Sequence, residues 1–335
     1  MLEARYWRQM EEGKVHCFLC RHHCRIAPGH RGRCGVRENR DGVLYSLVYG
    51  RIVAEHVDPV EKKPFFHVLP GSRSYSIATQ GCNFTCRHCQ NYAISQVAPE
   101  SVVGGALRTP HQIVEDALRS GCRSIAYTYT EPTINYEFAL DTARIAHERG
   151  ILNLFVTNGY IDPEPLEEIA PFLQGANIDL KGFSQRFYRE IAGASLDGVL
   201  DTIRHYRRLG IWVEITTLLI PGLNDSDQEL DGIARFIATE LGTETPWHIS
   251  RFYPTYRLIN VPPTPESSVI RGIDAGRRAG LSFVYAGNIR HPEFENTRCP
   301  SCSRLLIQRN GYRVISDSTV GGGCPGCGNP LPGVW

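Results

Sequence analysis

The sequence predicts an α/β protein: a core of parallel strand–helix units flanked by small cysteine-rich modules. Two observations carry this expectation. From about Ser74 to Asn288, strand-like and helix-like segments alternate, the pattern that parallel βα units leave in a chain. The twelve cysteines also fall into separate groups: Cys17, Cys20, Cys24 and Cys34 near the start, Cys82, Cys86 and Cys89 in the middle, and Cys299, Cys302, Cys324 and Cys327 near the end, with Cys122 alone. This grouping proposes three modules, at 1–70, 71–290 and 291–335.

Strands are expected at Tyr75–Ala78, Ser124–Tyr127, Leu152–Val156, Ala176–Leu180, Trp212–Leu219, Trp247–Arg251 and Ser282–Tyr285, where β-branched, aromatic and aliphatic residues cluster between polar breaks. The helices between them have readable ends. Thr109-Pro110 opens Gln112–Arg119, whose Ile113 and Ala117 share one face beside Val114 and Leu118, and Gly121 lies just past its end. Gly150 and Gly210 close Tyr136–Arg149 and Leu196–Arg208 in the same way. Cys122 reads as a small buried residue between a helix and the next strand.

The segment Cys82-Asn83-Phe84-Thr85-Cys86-Arg87-His88-Cys89 is the most informative part of the chain. It sets three cysteines at C-x3-C-x2-C with no fourth beside them. A structural zinc site fills all four positions with protein ligands, whereas three thiolates on an iron–sulfur cube leave one iron open. A zinc knuckle completed by His88 or Cys122, or three reduced thiols, is the alternative. The loop begins where the strand Tyr75–Ala78 ends, and in barrels of parallel strands that end carries the active site.

Composition fits an enzyme core without requiring one. With 335 residues, 42% of them hydrophobic, the chain can bury a large core, and a formal net charge of +1 gives no general argument for nucleic acid. Met1 to Lys14 lacks the apolar run of a signal peptide, and Ile211 to Leu223 is interrupted by Glu214 and Pro221 and too short to cross a bilayer. The expectation is a cytoplasmic protein without membrane association, in which cysteines serve as metal ligands and not as disulfides.

The cysteine loop, read together with the segments around it, resembles a known family. C-x3-C-x2-C after a first strand is similar to the radical S-adenosylmethionine (SAM) enzymes, and Gly81 to Asn91 resembles their pyruvate formate-lyase activase branch. Asp58-Pro59-Val60-Glu61-Lys62-Lys63-Pro64, Tyr127 to Thr133, Thr157-Asn158-Gly159-Tyr160, Asp179-Leu180-Lys181-Gly182, Leu219 to Asp225 and Pro332-Gly333-Val334-Trp335 resemble, more narrowly, the AmmeMemoRadiSam system radical SAM enzymes. The resemblance implies a partial (β/α)6 TIM-like barrel, for which seven strand candidates are compatible and a closed eight-stranded barrel is not. It implies that Cys82, Cys86 and Cys89 hold a [4Fe-4S] cluster whose open iron binds SAM, and that reductive cleavage yields a 5′-deoxyadenosyl radical for hydrogen abstraction from an unidentified substrate. Tyr129, Thr130 and Glu131 stand where the family has a Gly-Gly-Glu element that meets the methionine amino group. The two missing glycines remove freedom for close backbone approach. Lys181 matches a lysine that meets the SAM carboxylate, with Asp179 beside it, and Asn158 falls in the adenosyl or ribose region. The activases carry an aspartate before Thr-Asn-Gly that helps bind a monovalent cation; Val156 takes that place here, so no such site is expected. The implied partners are SAM, an electron donor such as flavodoxin or ferredoxin, and the AMMECR-type and Memo-type proteins of that system. A glycyl-radical enzyme activase and a non-enzymatic zinc scaffold are the alternatives.

The flanking modules carry further metal signals. Cys299-x2-Cys302 and Cys324-x2-Cys327, separated by 21 residues with a β-like stretch Arg304–Ile315 between them, have the spacing of a zinc ribbon; a rubredoxin-like iron site uses the same ligands. Cys17, Cys20, Cys24 and Cys34, at C-x2-C-x3-C-x9-C, suit zinc or an auxiliary iron–sulfur cluster, and His16, His22 or His23 could replace one cysteine. Lys62 and Lys63 read either as a solvated pair or as a substrate or SAM contact. His67, His248 and Arg251 read as satisfied polar positions near strand ends.

Overall fold

Seven parallel strands lie side by side in chain order: β2 (Arg73–Ala78), β3 (Ser124–Tyr127), β4 (Leu152–Thr157), β5 (Gly175–Asp179), β6 (Trp212–Leu219), β7 (Trp247–Arg251) and β8 (Val284–Gly287). An eighth strand, β1 (Ala54–Pro59), pairs antiparallel with β2 and caps that edge. This arrangement comes from a computed structural model that describes residues 1–98, 101–289 and 291–335. Each crossover carries a main helix, some with a shorter helical turn beside it: α1 (Pro110–Arg119), α2 (Tyr136–Glu148), α3 (Pro163–Ile169), α4 (Leu196–Arg208), α5 (Asp227–Phe236) and α6 (Glu266–Arg278). Six strand–helix units therefore run from β2–α1 to β7–α6, as the resemblance implied, and β8 extends them. Among the described residues β1 and β8 do not pair, so the barrel stays open.

Local signals explain the units. Thr109 Oγ1 accepts from the Gln112 amide at 3.2 Å, and the Gln112 side chain accepts from the Thr109 amide at 2.8 Å, so a capping box starts α1 with Pro110 in its first position. Ser195 and Ser226 cap α4 and α5. The strands are covered on both faces, as parallel strands are: all four residues of β3 are buried, and Phe155, Ala176, Ile215 and Trp247 are fully inside. Each large aliphatic or aromatic side chain so placed contributes about 1.5–3 kcal/mol.

Short antiparallel strands make up the N-terminal segment, including Trp7–Gln9, Val15–Cys17 and Arg25–Ile26 in one sheet. A fully buried ion pair between Arg37 and Glu137 fastens this segment to α2. At the other end a hairpin, Leu305–Asn310 and Arg313–Asp317, carries Arg309 inward; its guanidinium donates to the Phe66 carbonyl at 2.8 Å and lies 4.1 Å over the Phe66 ring. The final residues cross back over the same region. Val334 donates to the His67 carbonyl at 2.8 Å, and a Cβ on Gly333 would stand 2.3 Å from that oxygen, which is why glycine sits there. No described helix is long and apolar enough to cross a membrane.

His67 and His248 are indeed satisfied polar residues. His67 lies between the Pro332 carbonyl and the Tyr285 hydroxyl, each at 2.8 Å, and His248 pairs with the buried Glu214 at 2.6 Å. Burial, opposed by Glu214, brings the His67 pKa down to about 4. The unfolded histidine, with a pKa near 6.5, therefore takes its proton first as pH falls. Stability from neutral His67 should be complete above pH 6.5 and fall by roughly 3 kcal/mol toward pH 4. Denaturation of wild type and His67→Gln across this range should show a shallower loss in the variant; parallel curves would contradict the assignment.

Candidate functional site

The loop after β2 lies at the carboxyl ends of the strands and is fixed by backbone bonds from outside itself. Gly81 donates to the Ile94 carbonyl, and Thr85 and Arg87 donate to the Ala192 and Ile191 carbonyls, each at 2.9 Å. Phe84 is buried against Tyr160. The sulfurs of Cys82, Cys86 and Cys89 line a cavity of about 320 Å³, a size suited to a small-molecule ligand. The Phe84 amide points at the Cys82 sulfur at 3.4 Å, and Cys89 Sγ lies 3.1 Å from Ser95 Oγ. Burial raises the Cys82 thiol well above its usual range, and brings Cys86 up to about 11 against the opposing charge of Lys181. A metal that binds here must displace these protons.

A zinc knuckle does not fit this loop. Among the described residues, only Cys299, Cys302, Cys324 and Cys327 bring three or more ligand atoms within 4.8 Å of one another. Cys122 precedes β3 and so sits at the opposite end of the strands. His88 is buried with Nδ1 unpartnered, and burial, helped by Lys181, lowers its pKa to about 3. The thiols are spaced for a group larger than one ion, and the donors Asn83 Nδ2 and His88 Nδ1 and the acceptor Asn158 Oδ1 stand buried and unpartnered beside them. A [4Fe-4S] cluster, soft and thiolate-bound, suits this donor set.

Every residue expected from the resemblance lines the same cavity: Tyr129, Thr130 and Glu131 after β3, Asn158 after β4, and Asp179 and Lys181 at the end of β5. Glu131 is 3% exposed and caps the short helical turn Pro132–Asn135. Its Oε1 accepts from Thr133 N at 3.0 Å, Thr133 Oγ1 at 2.6 Å and Thr157 Oγ1 at 2.7 Å, while Oε2 accepts only from Asn158 N at 2.8 Å and keeps acceptor capacity. Asn158 Nδ2 continues the chain to Asn83 Oδ1 at 2.7 Å, inside the cysteine loop.

The loss of the two glycines has a different consequence from the one expected. Tyr129 adopts φ +65°, a left-handed conformation for which glycine is the usual residue. Its surroundings hold it there: the hydroxyl donates to Asp58 at 2.5 Å, its carbonyl accepts from Asn91 Nδ2 at 2.8 Å, and the Lys63 ammonium sits 4.1 Å over its ring. Thr130 spends its hydroxyl on the Thr79 carbonyl at 2.7 Å. Lys62 and Lys63 part ways: both reach Asp58, at 2.9 and 2.7 Å, but Lys62 is 44% exposed to solvent and Lys63 only 2%. The lysines, Tyr129 and Thr130 thus share one wall.

Lys181 Nζ lies 2.7 Å from Asp179. Burial opposes its charge, but Asp179 and then Cys86 outweigh burial and hold its pKa above the usual lysine range. Tyr188 OH and Asn224 Nδ2 fix the Lys181 backbone, at 3.0 and 2.7 Å. Sequence reasoning assigned no role to Asp58 or Asn83; an acid four and five residues before two lysines was the available signal for the first, and none existed for the second. A second cavity, of about 1140 Å³, shares Lys62, Gln90, Ser250 and Asn288 with the first and reaches the C-terminal hairpin at Asn310 and Tyr312. Arg251 and His248 line it.

In the C-terminal module Cys299 and Cys327 sulfurs are 3.5 Å apart, and those of Cys302 and Cys324 3.7 Å. A tetrahedral ion with bonds of about 2.3 Å places its sulfurs about 3.8 Å apart, so this quartet is spaced for one metal ion. Gly326 donates to the Cys324 sulfur at 3.4 Å, the tight turn its position implied. Cys17, Cys20, Cys24 and Cys34 surround one small cavity at the back of the cysteine loop.

A family model described as the radical SAM superfamily matches residues 76–237. An uncharacterized protein of Methanocaldococcus jannaschii is 44% identical over 333 residues, covering 99% of each chain. A pyruvate formate-lyase-activating enzyme of Clostridium pasteurianum is 26% identical over 175 residues, covering 50% of this chain and 70% of that one. A radical SAM methyltransferase from Sphaerobacter thermophilus shares the fold with a TM-score of 0.51 at 18% identity, covering 65% of this chain and 66% of that one.

Proposed function

The chain belongs to the radical SAM superfamily, and on that premise we propose that it cleaves SAM reductively at a [4Fe-4S] cluster held by Cys82, Cys86 and Cys89, and abstracts hydrogen from a substrate with the resulting 5′-deoxyadenosyl radical. The observation that carries this reading is that three thiols, with no fourth protein ligand beside them among the described residues, open on the same cavity as Glu131, Asn158 and the Asp179–Lys181 pair. When bound, the cluster supplies the electron that breaks the sulfonium bond and an open iron for the amino and carboxylate groups of SAM. The chain's own residues then position SAM. Lys181, kept charged by Asp179, meets the carboxylate. The remaining acceptor position of Glu131 Oε2 meets the amino group. Asn158, with an unpartnered Oδ1, faces the adenosyl or ribose part, and Tyr129 and Thr130 form the wall along which the methionine portion lies. Lys62 and Lys63 border the passage to the larger cavity, the natural approach for a substrate, and the C-terminal module shapes its mouth.

The reading extends to an AmmeMemoRadiSam-type enzyme, acting in the cytoplasm with a one-electron carrier such as flavodoxin or ferredoxin and with AMMECR-type and Memo-type proteins. Similarity to the activase of Clostridium pasteurianum keeps a glycyl-radical activase as the second reading, but that similarity spans only half of this chain. Val156 in place of the activases' aspartate also disfavours it. Family membership sets aside a non-enzymatic zinc scaffold.

Reconstituted without oxygen, wild type should show a cluster signal altered by SAM, and serine at Cys82, Cys86 or Cys89 should abolish it, because a hydroxyl is a poor ligand for iron. Lys181→Ala should weaken SAM binding by about 1.5–3 kcal/mol, some ten- to hundredfold. Unchanged affinity in that variant would leave Asp179 and Lys181 a structural pair.

The C-terminal quartet should hold one zinc ion, whose binding contributes directly to the folding of its module. Cys324→Ser with Cys327→Ser should remove one equivalent of zinc and impair substrate coupling while uncoupled SAM cleavage persists. Loss of SAM cleavage with zinc retained would reverse these roles.

A further inference from the structure

We propose that Cys17, Cys20, Cys24 and Cys34 hold a second iron–sulfur cluster and not a zinc ion. The two terminal quartets differ in the one dimension that separates these groups. A single tetrahedral ion draws four sulfurs to about 3.8 Å from each other, and the C-terminal quartet already stands that way, with sulfur pairs at 3.5 and 3.7 Å. No three sulfurs of the N-terminal quartet lie within 4.8 Å of one another, and the central trio shares this wider spacing. In a cluster, thiolates bind different irons and are held further apart. A cavity of about 20 Å³ lies among the four N-terminal cysteines, with Leu19, Ile26 and Ile134 in its wall.

A buried cation stands beside these sulfurs. Arg37 Nη1 stands 3.9 Å from Cys17 Sγ. Such contacts are the means by which proteins set cluster potential. The histidines that could replace a cysteine are otherwise engaged. His22 Nε2 is bound to the Asn83 carbonyl at 2.8 Å, and His23 pairs with Asp162 at 2.8 Å. His16 alternates with the buried Val15 and Cys17 and so faces the other side of its strand.

The site adjoins the catalytic loop. A Cβ on Gly81, at φ +96°, would stand 2.8 Å from the Cys34 carbonyl, and Asn83 forms part of the wall. A further cavity of about 260 Å³ has both Cys34 and Cys82 in its lining. The proposal rests on the reading of Cys82, Cys86 and Cys89 for this neighbourhood alone.

The full chain carrying Cys82→Ser, Cys86→Ser and Cys89→Ser, reconstituted anaerobically with iron, sulfide and zinc, tests it. Iron should remain with an equal amount of inorganic sulfide, the reduced cluster signal should not respond to SAM, and zinc should stay at one equivalent. Adding Cys20→Ser and Cys34→Ser should remove the remaining iron and sulfide. Two zinc equivalents without sulfide would overturn the proposal. Should the triple variant not fold, Mössbauer and electron paramagnetic resonance spectra of the wild type decide: two clusters sustain the second site, and one cluster with two zinc ions refutes it. Two clusters of which neither responds to SAM would sustain the second site while contradicting the reading of the central one.

Discussion

The site depends on where one buried carboxylate puts its acceptor capacity. Glu131 gathers three donors on Oε1 and the Asn158 amide on Oε2, which ties the end of β3 to the end of β4; Asn158 then reaches Asn83 within the cysteine loop. Burial raises the pKa of this group, and the donors from Asn158, Thr133 and Thr157 work in the opposite direction. A carboxylate buried without such donors would be costly. Because the donors come from two segments, their registration and the orientation of Oε2 are set together. A ligand arriving at Oε2 therefore meets an acceptor already aimed.

The residues around Asp58 solve a related problem with charge. Asp58 takes Lys62, Lys63 and the Tyr129 hydroxyl. These contacts, desolvation notwithstanding, keep its carboxyl well below the usual aspartate range, so it stays an anion able to hold both lysines. The left-handed backbone of Tyr129 is retained by that anchor and not by the absence of a side chain. In the same cavity Lys181 presents a cation supported by Asp179. A zwitterionic ligand such as the methionine portion of SAM thus finds both signs of charge across one small cavity.

Much of this was legible in the chain. Ser124–Tyr127, Trp212–Leu219 and Trp247–Arg251 were read with the bounds they have, because buried parallel strands are continuous apolar runs between polar breaks. Leu196–Arg208 was equally clear from its closing glycine, Gly210. The strand Ala54–Pro59 was not seen: it is an edge strand, mostly solvent-facing, and its Glu55, His56 and Asp58 give no apolar pattern. Val284–Gly287 was placed two residues early because Phe283 extends the apolar run before pairing begins. Spacing identified the three cysteine groups, but not the distances between sulfurs, which come from how Val15–Cys17 and the loops around Cys24 and Cys34 pack on the barrel. Nor could it show that Tyr129 would take a glycine's conformation, since the anchor lies 71 residues away in sequence.

The central claim is that one iron of the cluster at Cys82, Cys86 and Cys89 has no protein ligand and accepts SAM. Electron–nuclear double resonance on the reduced, reconstituted protein, with SAM carrying 15N in its amino group and 17O in its carboxylate, measures this directly. Hyperfine coupling from both labels to the cluster spin is the predicted result. A cluster signal without coupling from either label would contradict the account.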